Sequence, residues 1–226
     1  MSTRFILVRH GETKWNQENI FRGQTDIPLN ENGLKQAELT GKALSLLSFA
    51  KIYASPLLRA RQTAEAIAKF QSTRQEVITD NGLIDPLFGS WQGLRAEEVQ
   101  ARFPQEYQLW LNYPHKLTFP GGESLEIVRE RAWNFLLGLL PKHQNELLCL
   151  VSHRVVVRLL LLAALGLNSS KFWNIQQGTC ALNMLIYEEN RGFIIHSVNE
   201  TCHLQPWSRT ASSTPPPNQG QSRQKS

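Results

Sequence analysis

Apolar residues fall along this chain in two rhythms. Short continuous runs, FILV at 5–8, KIYA at 51–54 and LLCLVS at 147–152, have the pattern of strands covered on both faces. Between them apolar positions return every three or four residues. Leu34, Ala37, Leu44 and Leu47 follow Asn30 and predict a helix over 31–47. Ser55 reads as a cap and Pro56 as the opening residue of a helix running through RARQTAEAIAKF, because proline is tolerated in a first turn. Further helices are predicted over 123–140 and over 155–165, the latter ended by Gly166, and a short strand near 76–78. Strands at 181–188 and 193–198 flank NRG, a hairpin signal. Residues 85–122 carry little periodicity but many aromatics, and read as an insertion that forms a lid or pocket wall. Alternating strands and helices predict an α/β fold, a three-layer αβα sandwich with a mostly parallel central sheet and helices on both faces. Ligands of such sheets bind beyond the carboxyl ends of the strands.

Composition narrows the picture. With 226 residues and 41% hydrophobic content, the chain is long enough to bury roughly 70% of its unfolded surface in one domain, expected over 1–206. From 207 onward WSRTASSTPPPNQGQSRQKS lacks the apolar residues a core needs and is expected to be a disordered tail. The net charge of +5 suits anions, but no run of five or six basic residues occurs, so small anions are favoured over nucleic acid. Cys149, Cys180 and Cys202 are odd in number and widely spaced, which predicts neither a disulfide framework nor a zinc knuckle and fits a reducing cytoplasm. The apolar segment 155–167 is interrupted by Arg158 and falls short of the ~18 to 20 residues a bilayer requires, so no membrane partner is expected. The oligomeric state stays open, a homodimer included.

Two strands end alike, ILVRHG and LVSHRV. Each sets a histidine, His10 and His153, just past its carboxyl edge, where the imidazoles meet if the strands are neighbours. Arg59 falls in the first turn of its helix, where free N–H groups and the dipole already favour an anion. A lone histidine is more often structural, and Arg59 with Arg61 alone would read as a solvated helix face. Matched strand ends shift that balance.

RHGETKWN, FRGQTDIPLNENGLKQA, SPLLRARQTA, DPLFGSWQG, PGGES and LVSHR, in this order, resemble the histidine phosphatase superfamily, in the branch that contains phosphoglycerate mutases and related phosphatases. The resemblance spans about 4–204. It implies that His10 is the nucleophile that accepts the phosphoryl group, with Arg9, Asn16, Arg59 and His153 holding phosphate oxygens. It implies substrate contacts at Arg22 and Gly23, and a general acid and base at Asp85, shortly before an aromatic and glycine pair, Phe88 and Gly89.

Elementary chemistry agrees. A transferring phosphoryl group spreads charge over three oxygens, so positioned cations can supply most of the catalysis without a metal or cofactor. His10 must attack as neutral imidazole, and neighbouring cations disfavour its protonated form. Asp85 would protonate the leaving alkoxide and then deprotonate the water that cleaves the phosphohistidine. Two residues depart from the family pattern: Asp85 stands where glutamate is common, shorter by one methylene, and Arg154 stands where glycine is frequent. DPLFGSWQGL lacks the basic residues that follow the acid in mutases, and Trp91, Trp110, Tyr113 and Phe119 offer an apolar wall. The expectation is a phosphatase for small organic phosphate monoesters; a phosphoglycerate mutase is the alternative, and a weak phospho-ligand sensor a third reading.

Overall fold

The computed structural model describes residues 2–73 and 75–204; the tail predicted from 207 lies outside them. In chain order the elements are β1 (Ser2–Arg9), α1 (Lys14–Gln17), α2 (Glu31–Ala43), β2 (Lys51–Ala54), α3 (Leu58–Lys69), β3 (Val77–Thr79), α4 (Ala96–Arg102), α5 (Pro104–Asn112), α6 (Leu125–Leu139), β4 (Leu147–Ser152), α7 (Arg154–Ala164), β5 (Leu182–Glu188) and β6 (Gly192–Glu200).

The six strands form one mixed sheet ordered β3-β2-β4-β1-β5-β6. β3, β2, β4 and β1 run parallel, and β5 and β6 are added antiparallel. All six residues of β4 are buried, and so are Phe5 to Arg9 of β1, which explains their unbroken apolar runs at the sheet centre. Alternation sorts their side chains into two cores. Ile6, Val8, Ile52, Ala54, Cys149 and Val151 pack with Ala60, Ala64 and Ile67 of α3 on one face. Phe5, Leu7, Leu148 and Leu150 pack with α6, α7 and the aromatics on the other. The layered sandwich expected from the sequence is therefore present.

Local signals set the helix starts. Asn30 caps α2 by accepting from Gly33 N at 2.7 Å, and Ser124 caps α6 by accepting from Ile127 N. The insertion holds more regular structure than its sequence suggests. Phe103 ends α4 and Pro104 opens α5, so two short helices abut where aromatic and proline content hides the period. Its aromatics pack as interior: Trp91, Trp110 and Phe119 are buried and meet Phe21 and Phe88 edge to face, whereas Tyr113 is 54% exposed. Among the described residues, no helix is long and apolar enough to cross a membrane.

Candidate active site

β1 and β4 are hydrogen-bonded neighbours in parallel register, with Arg9 opposite Ser152. The next residue on each is the histidine, and His10 N donates to Ser152 O at 2.9 Å. The two imidazoles accordingly face one another with centroids 5.1 Å apart. Both are buried, at 1% and 0% exposure, just beyond the carboxyl edge of the sheet.

Each ring is fixed by one hydrogen bond. His10 Nδ1 lies 2.6 Å from Gly11 O; a carbonyl only accepts, so Nδ1 carries the proton and Nε2 keeps its lone pair. Burial first, then Arg59, Arg9 and Arg22, hold the His10 pKa well below the usual imidazole value, so the ring is neutral near pH 7. Cations contribute as the sequence suggested, but desolvation is the larger cause. His153 Nε2 meets Ser55 Oγ at 2.8 Å, and its Nδ1 lies 3.7 Å from Asp85 Oδ2 without a hydrogen bond of its own. Burial, Arg59 and His10 depress the His153 pKa as well.

Ser55 differs from its expected role as a helix cap. α3 begins at Leu58 with Leu57 as its cap residue, and the Ser55 hydroxyl, while still accepting from Leu57 N at 3.3 Å, also holds His153. The preceding strand end places it there, since Ser55 N donates to Val151 O on β4. The sequence offered no signal for this contact beyond the strand-end position of Ser55.

Gly11 is required by packing. A Cβ there would sit 2.6 Å from Gly33 O, so the turn after β1 rests directly on the backbone that opens α2. Gly11 N donates to Thr63 Oγ1 at 3.1 Å, which ties the same turn to α3.

Arg59 lies fully buried in the first turn of α3. Its Nη1 donates to Thr25 O at 3.0 Å, and its Nη2 to Gly23 O at 2.7 Å and Asp85 Oδ2 at 3.1 Å. Gly23 adopts φ +51°, where a side chain would also strike Gln92; its carbonyl is committed to Arg59. Arg9 is buried and donates from Nη1 to Gln177 O at 2.7 Å. Gln177 is in turn locked to Asn183 by two amide hydrogen bonds of 2.6 and 3.0 Å, a support that carries no motif in the sequence.

Asp85 is 5% exposed. Burial raises its carboxyl pKa although Arg59, Arg22 and Arg154 pull the other way, which is the balance a proton donor needs. Asn16 accepts from Thr13 N and Thr13 Oγ1 through Oδ1, a capping arrangement that leaves its amide NH₂ as donor. Arg22 acts electrostatically on His10 and Asp85. Thus His10, His153, Arg9, Arg59, Asp85 and Arg22 converge on one site. For Asn16 and Gly23 the contacts are to Thr13 and Arg59. Two surface hollows, one lined by Glu65, Lys69 and Val77 and the other by Pro56, Thr79 and Asp80, share no residue with this site.

The family described as histidine phosphatase superfamily (branch 1) matches residues 5–201. The chain is 38% identical over 201 residues to phosphoserine phosphatase 1 of Hydrogenobacter thermophilus, covering 89% of this chain and 94% of that protein. It is 32% identical over 177 residues to a 2,3-bisphosphoglycerate-dependent phosphoglycerate mutase of Bartonella henselae, covering 76% and 85%. A phosphoserine phosphatase of Entamoeba histolytica, solved in complex with 3-phosphoglyceric acid, superposes with a TM-score of 0.79 at 30% identity, covering 90% of this chain and all of that one. The chain belongs to the histidine phosphatase superfamily.

Proposed function

We propose that this protein is a phosphomonoesterase that hydrolyses small organic phosphate monoesters, O-phosphoserine among them, through a phosphohistidine on Nε2 of His10. The observation that carries the reading is the state of His10. Its proton is held on Nδ1 by Gly11 O, Nε2 keeps its lone pair, and Arg59, Arg9 and Arg22 act on the neutral ring.

In the first half-reaction the Nε2 lone pair forms the N–P bond while the ester P–O bond breaks. Asp85 gives its proton to the departing alkoxide, and the charge gained by the imidazole is shared through Nδ1–H with Gly11 O. Arg9, Arg59 and His153 hold the equatorial oxygens, with Asn16 as a further donor. In the second half-reaction the Asp85 carboxylate takes a proton from water, the water oxygen bonds to phosphorus, and the N–P electrons return to Nε2. The cycle closes with Asp85 protonated and phosphate released. Aspartate in place of glutamate suits this geometry because Arg59 Nη2 and His153 Nδ1 both approach the same oxygen, Oδ2, so that Oδ1 is the oxygen left to carry the proton.

A phosphatase is favoured over a mutase by the relatives. The phosphoserine phosphatase is more similar and is covered more fully than the mutase. Incubation with 3-phosphoglycerate and 2,3-bisphosphoglycerate tests this: release of inorganic phosphate is expected, and rapid 2-phosphoglycerate formation without free phosphate would overturn it.

A further inference from the structure

Asp85 stands on backbone that no helix or strand holds. The 3₁₀ turn Asn81–Leu83 ends just before it, and residues 84–88 form no regular element. Pro86 follows, so the next peptide has no N–H to donate. A general acid must sit within hydrogen-bond reach of the leaving oxygen, and a displacement of about 1 Å can cost roughly 100-fold in rate. The segment therefore needs support from elsewhere.

Side chains supply it on both flanks of the acid. Arg131, on α6, donates from Nη1 to Asn81 O at 2.9 Å and to Ile84 O at 3.0 Å, with Gly82 O sharing those hydrogens at 3.3 Å. Ile84 O belongs to the peptide that carries the Asp85 N–H. On the far side Glu123 Oε2 accepts from Leu87 N at 2.8 Å, and Glu123 N donates to Leu87 O at 2.9 Å. Arg131 Nη2 then meets both carboxylate oxygens of Glu123 at 3.4 Å, so one ion pair joins the chain before Asp85 to the chain after it. Ser152 Oγ donates to Leu83 O at 2.7 Å and Gln24 Nε2 to Asp85 O at 3.2 Å, but each of these holds a single point. Arg131 and Glu123 bind backbone and each other, so their influence on the chemistry runs through this segment.

We propose that Arg131 and Glu123 are positioning residues for the general acid and base, a clamp across the Asp85 segment that sets where its carboxyl meets the leaving oxygen. The clamp rests on the phosphatase reading and deepens it. Arginine is required because one planar fork reaches Ile84 O and the Glu123 carboxylate together, which a lysine ammonium cannot do in the same geometry. The two side chains are 22% and 20% exposed, and an ion pair open to solvent adds little to stability, so the fold is expected to survive its loss.

Single turnovers of the full chain with enzyme in excess, read as loss of ester, test the clamp. Arg131→Lys and Glu123→Ala should consume O-phosphoserine about 10- to 100-fold more slowly than wild type, because the serine alkoxide needs its proton delivered. p-Nitrophenyl phosphate, whose leaving group departs as an anion, should slow less than about threefold. A pair that only braced the fold would slow both esters together. In an Asp85→Asn background Arg131→Lys should add no further loss with O-phosphoserine, since no acid remains to be positioned. Equal slowing of the two esters, no slowing in the folded variants, or a loss that multiplies with that of Asp85→Asn would overturn the clamp and leave the phosphatase standing. If Glu123→Ala unfolds, Arg131→Lys, which keeps the charge, carries the same comparison; unfolding of both would make the pair structural and overturn the clamp as well. Folded wild-type protein that consumes neither ester would instead remove the reading beneath it.

Discussion

Asp85→Asn separates a proton donor from a clamp, because asparagine keeps the shape and an oxygen for Arg59 Nη2 while losing the transferable proton. General acid and base groups contribute roughly 10²- to 10⁴-fold, or about 3 to 5 kcal/mol of barrier. The loss should depend on the leaving group. An alkoxide such as that of serine cannot depart unprotonated, so its transfer to His10 should slow by that full factor. p-Nitrophenolate leaves readily as an anion, so the same first step should slow less than about tenfold, while the second step, which needs the base, still slows. Rapid mixing of Asp85→Asn with p-nitrophenyl phosphate should therefore give a burst of nitrophenol followed by slow turnover, with phosphoenzyme accumulating. The competing account makes Asp85 a partner that only holds the buried Arg59, at 3.1 Å from Oδ2. Under that account both substrates would lose phosphoryl transfer by the same factor and no burst would appear, a result that would refute the acid and base assignment.

Three further outcomes follow from the same geometry. Ser55→Ala leaves His153 Nε2 without its 2.8 Å partner, which should cost about 1 to 3 kcal/mol in stability and lower kcat for every substrate alike; unchanged Tm and kcat would show the contact to be idle. Gly11→Ala drives a Cβ against Gly33 O, and backbone cannot yield as a side chain does, so a loss of about 1 to 3 kcal/mol in urea melts is expected together with collapse of activity; near-wild-type values would mean the turn can shift freely. His10 and His153 have folded pKa values below the usual ~6.5, so the unfolded chain binds more protons and stability must decline as pH falls below about 6.5. Asp85, raised above its usual value, works in the opposite sense in wild type and variant alike, so the pH 7.5 to 5.5 decline should shrink in His10→Ala; an equal decline would assign it to other groups.

Much of the site was legible because its residues sit where the apolar pattern stops. FILV and LLCLVS end on Arg9, His10 and His153, and continuous burial makes those strands central, so that their polar ends must share one edge of the sheet. What is held by backbone or by single hydroxyls left no such trace. Gln177 supports Arg9 through its carbonyl, which any residue type possesses. Ser55 before Pro56 has the composition of a cap, and only the β2–β4 pairing reveals that its hydroxyl meets His153. In the insertion, α4 buries only Val99 and α5 only Tyr107 and Trp110, too few positions to show a helical period, and Trp110 packs edge to face on Phe21 from outside the insertion. Arg154 was visible as an unusual neighbour of His153; its electrostatic action on Asp85 required the packed structure.

The phosphohistidine itself is the most direct test of the central claim. The full chain, mixed with ³²P-labelled O-phosphoserine and quenched within milliseconds, should carry an acid-labile, base-stable label that maps to the peptide containing His10, and His10→Ala should carry none while remaining folded. Turnover with no labelled intermediate at any quench time, or a label that maps to another residue and persists in His10→Ala, would contradict the mechanism.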